Sequence, residues 1–291
     1  MTFEYFLYEV SDRVATITMN RPDRLNAINF GLAEEFPKVF AAAQADPDVH
    51  VIVLQGAGKG FCGGYDLVEY AEGSGEHPCS QNDMPWDPTL DFQAMWNCTQ
   101  NYMSIWRCTK PVIAKIHGAA AAGGSDIALC CDMIIMADDA RIGYPPVRVW
   151  GVPTTMMWVY RLGIEKAKRM LFTGDLVDGK EAESMGLIQK SVPADQLDAE
   201  VQALCDRIKG VPRNQLMMNK MVVNQAYENM GLNTTQMFAT MFDGVARHSP
   251  EGKWFEERAQ AEGFKQAVAE RDSGKPIAEG RSKSYKDFGI S

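Results

Sequence analysis

VIVLQGAGKGFCGGYDL (residues 51–67) and PVIAKIHGAAAAGGSDIALCCD (residues 111–132) are two stretches in which an apolar run ends in a glycine-rich turn. The apolar runs are typical of short buried strands, and each turn is expected to lead into a helix. Strand, turn and helix repeated in this order favour βαβ units with right-handed crossovers. The two stretches therefore predict an α/β fold.

The rest of the chain extends this prediction. FLYEV and VATITMN flank Ser11-Asp12-Arg13 and predict a β-hairpin near the N-terminus. Residues 73–89 are rich in Pro, Gly and Asp and predict a long irregular loop, typical of lids and pocket walls. From about residue 155 helices are predicted to dominate, with one short strand near LIQKSVP (187–193). We expect a core over residues 1–200 and a helical region with a polar tail over residues 201–291.

Composition excludes several functional classes. The chain has 291 residues, 46% of them hydrophobic and 23% charged, as in ordinary globular proteins. A net charge of −9 argues against a general nucleic-acid binder. No apolar stretch approaches the ~18 residues of a membrane span, and the N-terminus does not resemble a secretory signal. The seven cysteines lack a CxxC pair and the four histidines lack zinc-ligand spacing, so we expect reduced thiols, no metal and a cytoplasmic protein.

The glycines of the two turns also indicate chemistry. A glycine lets backbone N–H groups approach a ligand atom, because no Cβ blocks the way. Two such N–H groups that converge on one carbonyl oxygen form an oxyanion hole. Asp126 follows Gly123 by three residues and adds an ionisable carboxyl group. A single glycine-rich turn more often serves only to reverse the direction of the chain. Two such turns and a carboxyl group together indicate chemistry beside an activated carbonyl.

Four segments together resemble the enoyl-CoA hydratase/isomerase (crotonase) superfamily. They are NRPDRLNAI (20–28), KGFCGGYDL (59–67), HGAAAAGGSDIALCCD (117–132) and RMLFTGDLVDGKEAESMGLIQKSVP (169–193). The resemblance covers residues 5–245 and implies a crotonase-type spiral of ββα units with a C-terminal helical region used in trimerisation. It also implies an acyl-CoA substrate, no separate cofactor because coenzyme A is part of that substrate, and a homotrimer or homohexamer.

The resemblance assigns roles to individual residues. It implies that the N–H groups of Tyr65 and Gly123 form the oxyanion hole and that Asp126 is the catalytic carboxyl group. Arg24, in a loop that would pass the CoA adenine and phosphates, has a charge suited to phosphate, and Asp66 is expected to cap the next helix. The substrate-binding set is Arg24, Leu25, Ala27, Gly63, Gly64, Asp66, Leu67, Gly124, Tyr144 and Arg148.

The chain departs from the family pattern at the acid/base groups. Hydratases of the family use two glutamates. The first position holds Asp126, whose side chain is one carbon–carbon bond (~1.5 Å) shorter, and the second holds Pro146, which cannot exchange a proton. Tyr144 could hold a water, and Arg148 could pair with Asp126 or with a polar acyl group. His77, Asp83 and Asp87 in the long loop are further candidates.

Several functions stay open at this stage. The leading prediction is an enzyme that hydrates an enoyl-CoA or moves its double bond through a stabilised thioester enolate. A CoA-thioester isomerase, or a hydrolase of a C–C bond, could work with Asp126 alone. A non-catalytic acyl-CoA-binding protein would need the hole but not Asp126, whose carboxylate could instead stabilise a helix N-terminus.

Overall fold

A computed structural model describes residues 2–73, 85–275, 277 and 287 of the chain. The strands are β1 (Phe6–Ser11), β2 (Val14–Met19), β3 (Val51–Gly56), β4 (Val112–Ile116), β5 (Ala119–Ala121), β6 (Met133–Ala137), β7 (Arg141–Gly143), β8 (Leu176–Asp178) and β9 (Lys190–Val192). The helices are α1 (Phe30–Ala45), α2 (Pro88–Arg107), α3 (Gly123–Cys130), α4 (Met157–Thr173), α5 (Gly179–Ser184), α6 (Leu197–Lys209), α7 (Arg213–Asn229), α8 (Leu232–His248), α9 (Pro250–Glu262) and α10 (Phe264–Arg271). The predicted α/β class with a helical C-terminal region is confirmed.

The strands form two sheets. The larger has the order β1-β2-β3-β4-β6-β9, and the smaller has the order β5-β7-β8. In the larger sheet β1 is antiparallel to β2, and the pairs from β2 onward are parallel. The predicted hairpin is confirmed, since Ser11 pairs with Val14 and its two turn residues, Asp12 and Arg13, have positive φ.

The parallel strands bring the two glycine-rich turns together. β3 and β4 are hydrogen-bonded neighbours in which Leu54 pairs with Ala114, so both strands end at the same edge of the sheet. The turn after β3 and the turn after β4 therefore leave this edge side by side. In open α/β sheets the carboxyl ends of the strands are the usual ligand-binding edge.

The C-terminal helices complete this edge of the molecule. α8 contacts α2, while α9 and α10 contact the short π-helical turn Val68–Glu72 that follows the first glycine-rich turn. The predicted boundary between residues 200 and 201 falls inside α6, and the division into two domains stays a prediction. Among the described residues after position 155, β9 lies at the predicted place, and β8 is a strand that sequence analysis missed. Across the described residues, every helix is too short or too polar to cross a membrane.

Candidate active site

The two glycine-rich turns are hydrogen-bonded to each other. The Cys62 N–H donates to the Ala119 carbonyl over 2.9 Å, and the Ala121 N–H donates to the Cys62 carbonyl over 3.0 Å. Gly64 has φ +99°, and a Cβ on it would lie 2.8 Å from the Ala122 Cβ. Any larger residue at position 64 would push the turns apart, so glycine is required here by both φ and space.

The N–H groups of Tyr65 and Gly123, which the family resemblance predicts as the oxyanion hole, lie on the two turns. Gly123 begins α3, so its N–H has no carbonyl within the helix to bond. In the part of the chain that the structure describes, neither N–H donates to a protein acceptor. Gly123 N would lie 3.5 Å from a Cβ on Gly64, the residue before Tyr65. The two donors thus belong to residues in close contact.

Ala122 holds the start of α3 in an unusual backbone conformation. Its φ of 51° and ψ of −126° are rare for a residue with a side chain. The Ala122 N–H donates to the Gly143 carbonyl over 2.9 Å, which ties this residue to β7. Backbone strain of this kind costs ~1–3 kcal/mol and concentrates at functional sites.

A cavity of about 310 Å³ opens beside the two turns. Tyr65 is fixed at its wall because the Tyr102 hydroxyl donates to the Tyr65 hydroxyl over 3.0 Å. Most of the cavity wall is apolar. The lining residues are Phe30, Gly63, Tyr65, Leu67, Tyr70, Met95, Cys98, Ala121, Ala122, Tyr144, Pro145, Pro146, Trp150, Leu176, Asp243, Arg247, Phe264, Val268, Arg271 and Asp272.

Asp126 lies in the first turn of α3 and is 2% exposed. The Thr155 hydroxyl donates to its Oδ1 over 2.6 Å, whereas the α3 N-terminus has no side-chain cap. Burial raises the pKa of Asp126 to about 8, against the opposing effect of the Thr155 hydrogen bond. This carboxyl group is therefore poorly suited to stabilise the helix N-terminus, because it is mostly protonated at neutral pH. Asp126 is not among the described residues that line the cavity.

Pro146 and Tyr144 both line the cavity, as expected from their positions in the sequence. The Tyr144 hydroxyl donates to the Val152 carbonyl over 3.3 Å. Arg148 does not pair with Asp126, and that suggestion is wrong. Its guanidinium instead bonds Asp272 over 2.9 Å and the Thr173 carbonyl over 2.7 Å, because the short helical turn Pro145–Arg148 directs it toward the end of α10.

The predicted CoA loop packs against the first turn. The Gly63 N–H donates to the Leu25 carbonyl over 2.9 Å. Asp66 accepts from Arg21 over 3.1 Å and lies 3.7 Å from Arg24, so it pairs with arginines. The expectation that Asp66 caps the next helix is wrong, since that helix has no side-chain cap. The Arg24 side chain is 49% exposed, so its guanidinium can bind another anion in addition to the Asp66 carboxylate.

The remaining predicted residues have mixed placements. Leu67 lines the cavity. A Cβ on Gly124 would lie 2.3 Å from the Cys62 carbonyl oxygen, so glycine at this position allows the two turns to pack against each other. The Ala27 carbonyl accepts from the Arg21 guanidinium. Asp87 caps α2 through the Thr89 and Leu90 N–H groups, whereas His77 and Asp83 lie outside the described residues.

Sequence analysis did not predict the charged groups of the cavity wall. Asp243 and Arg247 come from α8, and Arg271 and Asp272 come from the end of α10 and the residue after it, all far from either turn in the sequence. Trp150 also lines the cavity, with φ +85° and an indole N–H that has no partner among the described residues. No group of three or more potential metal ligands occurs in the described ranges. The sequence shows the α8 pair only as part of an amphipathic helix, and such a pattern does not indicate what the helix packs against.

Comparisons with known proteins identify the family to which the chain is similar. A family model described as "Enoyl-CoA hydratase/isomerase" matches residues 9–266. A probable enoyl-CoA hydratase of Mycobacterium bovis is 32% identical over 232 residues, which are 79% of this chain and 84% of the relative. A crystal structure of an enoyl-CoA hydratase from Mycobacterium smegmatis has a TM-score of 0.88 at 45% identity and covers 96% of this chain and 98% of its own. An enoyl-CoA hydratase/isomerase structure from Xanthobacter autotrophicus has a TM-score of 0.84 at 30% identity, with 95% and 100% covered.

Proposed function

The chain belongs to the enoyl-CoA hydratase/isomerase family, and we propose that it acts on an enoyl-CoA whose thioester oxygen binds between the N–H groups of Tyr65 and Gly123. The observation that carries this proposal is the pair of unpartnered N–H groups on two turns in contact, beside a largely apolar cavity. The enolate oxygen gains negative charge during the reaction, and preorganised donors stabilise that charge more than they stabilise the ground state.

Asp126 is the proton-transferring group of the proposal. Its raised pKa of about 8 leaves it mostly protonated at neutral pH, so it is ready to donate a proton to Cα as the enolate collapses. The ionised fraction grows with pH and can take a proton from Cα in the reverse direction. Because the carboxyl group is enclosed, substrate binding must bring Cα and the Asp126 side chain together.

Hydration of crotonyl-CoA and of longer enoyl-CoAs tests the proposal. The loss of the conjugated thioester absorbance measures turnover, and Asp126→Asn is expected to lower kcat at least 100-fold while leaving acyl-CoA affinity within about threefold. Activity that survives unchanged in Asp126→Asn would rule out the assigned role. Tight acyl-CoA binding by the wild-type protein without turnover of any enoyl-CoA would support the binding-protein alternative.

A second candidate function, isomerisation, is favoured by Pro146. This residue lines the cavity at the position where the family resemblance implies a second glutamate, and it cannot activate water. An isomerase needs one carboxylate that removes a proton from one carbon and returns it to another. Formation of 2-enoyl-CoA from 3-enoyl-CoA at a higher kcat/KM than hydration would establish this activity as the principal one.

The CoA contact and the assembly also belong to the proposal. We assign the CoA phosphates to Arg24, on the support of its exposed side chain at the rim formed by the loop and the first turn. A homotrimer, or a hexamer of two trimers, is supported by the apolar residues exposed on α7 and α8. Coenzyme A enters as part of the substrate.

A further inference from the structure

The cavity wall near Pro146 contains the carboxylate of Asp243. The position of Gly151 shows that these groups are close together: a Cβ on Gly151 would lie 3.1 Å from the Pro146 Cβ, 3.5 Å from Asp243 Oδ1 and 3.6 Å from the Tyr144 hydroxyl. Asp243 therefore lies beside the proline, although α8 is almost a hundred positions further along the chain. It also lines the cavity.

Two contacts fix the orientation of Asp243. Its Oδ1 accepts from the Val152 N–H over 2.9 Å, and its Oδ2 accepts from Arg247 Nε over 3.2 Å. Arg247 in turn binds Asp91 of α2 over 2.7 Å. Each carboxylate oxygen can accept a further hydrogen bond, so these contacts position Asp243 without using up its capacity to bind a water in the cavity.

We propose that Asp243 is the second proton-transferring carboxylate of this site and that it activates the water which adds to Cβ. This inference rests on the proposed function and assigns to α8 the group that is missing at Pro146. Arg247 acts as a positioning residue, because it holds the Asp243 carboxylate and is itself anchored by Asp91.

The proton and electron balance of the step is complete with these groups. Asp243 removes one proton from water as the water oxygen bonds to Cβ, and the π electrons of the Cα–Cβ double bond move to the thioester to form the enolate. The enolate then takes the Asp126 proton at Cα. Asp243 ends protonated and Asp126 ionised, and exchange with solvent restores both, so the net change is the addition of one water.

The surroundings of the two carboxyl groups favour this division of roles. Burial raises the pKa of each, but the Arg247 guanidinium beside Asp243 opposes the increase. Asp126 is bonded instead by the neutral Thr155 hydroxyl, and the negative charge of Asp243 raises the Asp126 pKa further. Two carboxyl groups whose environments differ in this way supply one acid and one base.

Asp243→Asn tests the inference, with Asp132→Asn as the matched control. Each carboxylate accepts a hydrogen bond from a backbone N–H and pairs with a cation, Val152 and Arg247 for Asp243 and Val112 and Lys220 for Asp132, but only Asp243 of the two lines the cavity. We expect Asp243→Asn to lower the hydration kcat at least 100-fold with KM within about threefold, and Asp132→Asn to lower it less than about fivefold. Hydration that is equally fast in Asp243→Asn and in the control would overturn the inference.

Two further measurements separate this inference from the proposed function. Exchange of the Cα protons of a saturated acyl-CoA in D₂O requires the oxyanion hole and Asp126 but not Asp243, so Asp243→Asn is expected to retain it. A wild-type protein with neither exchange nor turnover would contradict the proposed function itself. In the double variant Pro146→Glu, Asp243→Asn, we expect recovery of at least tenfold in hydration rate; a folded double variant without recovery would make Asp243 structural.

Discussion

At the residue scale, Asp126 shows how far a sequence position determines chemistry. The position after the second turn identified this carboxyl group, but its proton affinity depends on burial and on Thr155, which lies almost thirty positions further along the chain. The prediction that Asp66 caps a helix was wrong because a residue from another segment determines what its carboxylate contacts. Arg21, from a loop elsewhere in the sequence, takes this carboxylate as an ion-pair partner.

The raised pKa of Asp126 has a consequence for stability. The unfolded chain releases this proton near pH 3.8, whereas the folded protein keeps it until about pH 8. The folded state therefore binds more protons between these values, and the contribution of Asp126 to the free energy of unfolding falls as the pH rises through this window. The loss is at most about 1.4 kcal/mol per pH unit.

Asp126→Asn removes this titration, so the stability of the variant relative to the wild-type protein should increase with pH. We expect the Tm of the variant minus that of the wild-type protein to increase from pH 5 to pH 8, which corresponds to a change of about a few kcal/mol in the relative free energy of unfolding. Thermal unfolding at several pH values measures it, and the titrating groups that do not interact with Asp126 cancel in the difference. A difference that does not change with pH would mean that the folded Asp126 titrates like the unfolded one.

At the element scale, the contact between the two turns is the feature on which the oxyanion hole depends. Gly64→Ala is expected to lower kcat/KM at least 100-fold, since its Cβ would lie 2.8 Å from the Ala122 Cβ and displace the Tyr65 and Gly123 N–H groups. Steady-state kinetics with crotonyl-CoA measures the loss.

Gly186→Ala is the matched control for this variant. Gly186 also has positive φ, +81°, but a Cβ there meets no atom within 4 Å. Both substitutions impose backbone strain, so both should lower Tm, and only Gly64→Ala should lower kcat/KM of the folded enzyme strongly. Equal kinetic losses in the two variants would show that general strain, and not the turn contact, controls activity.

At the scale of the whole molecule, α7 and α8 leave a large apolar surface uncovered. The exposed residues include Met218, Met221, Val222 and Val223 of α7 and Met237, Phe238, Met241 and Phe242 of α8. Exposed apolar patches are typical of sites where proteins associate. The proposed trimer would cover it.

Phe238→Glu tests the assembly. Phe238 is 58% exposed, so the charge costs little in the monomer but would be buried without a partner in an interface. We expect the molar mass from light scattering after size exclusion to fall from that of a trimer or hexamer toward that of one chain. Leu7→Glu, at a 48% exposed position on β1, should leave the mass unchanged. A monomeric wild-type protein would contradict the assembly proposal.

The sequence by itself determined the features that depend on neighbouring residues. The hairpin, the strands before both glycine-rich turns and the α/β class follow from local periodicity and turn chemistry. The family motifs predict a shared site for Tyr65, Gly123 and Asp126. Tertiary structure alone brought Asp243 and Arg247 into the cavity wall that also contains Pro146, buried Asp126 and turned Arg148 toward Asp272. The physical reason is that a helix pattern tells which residues share a face, whereas the partner of that face is chosen by packing between distant segments.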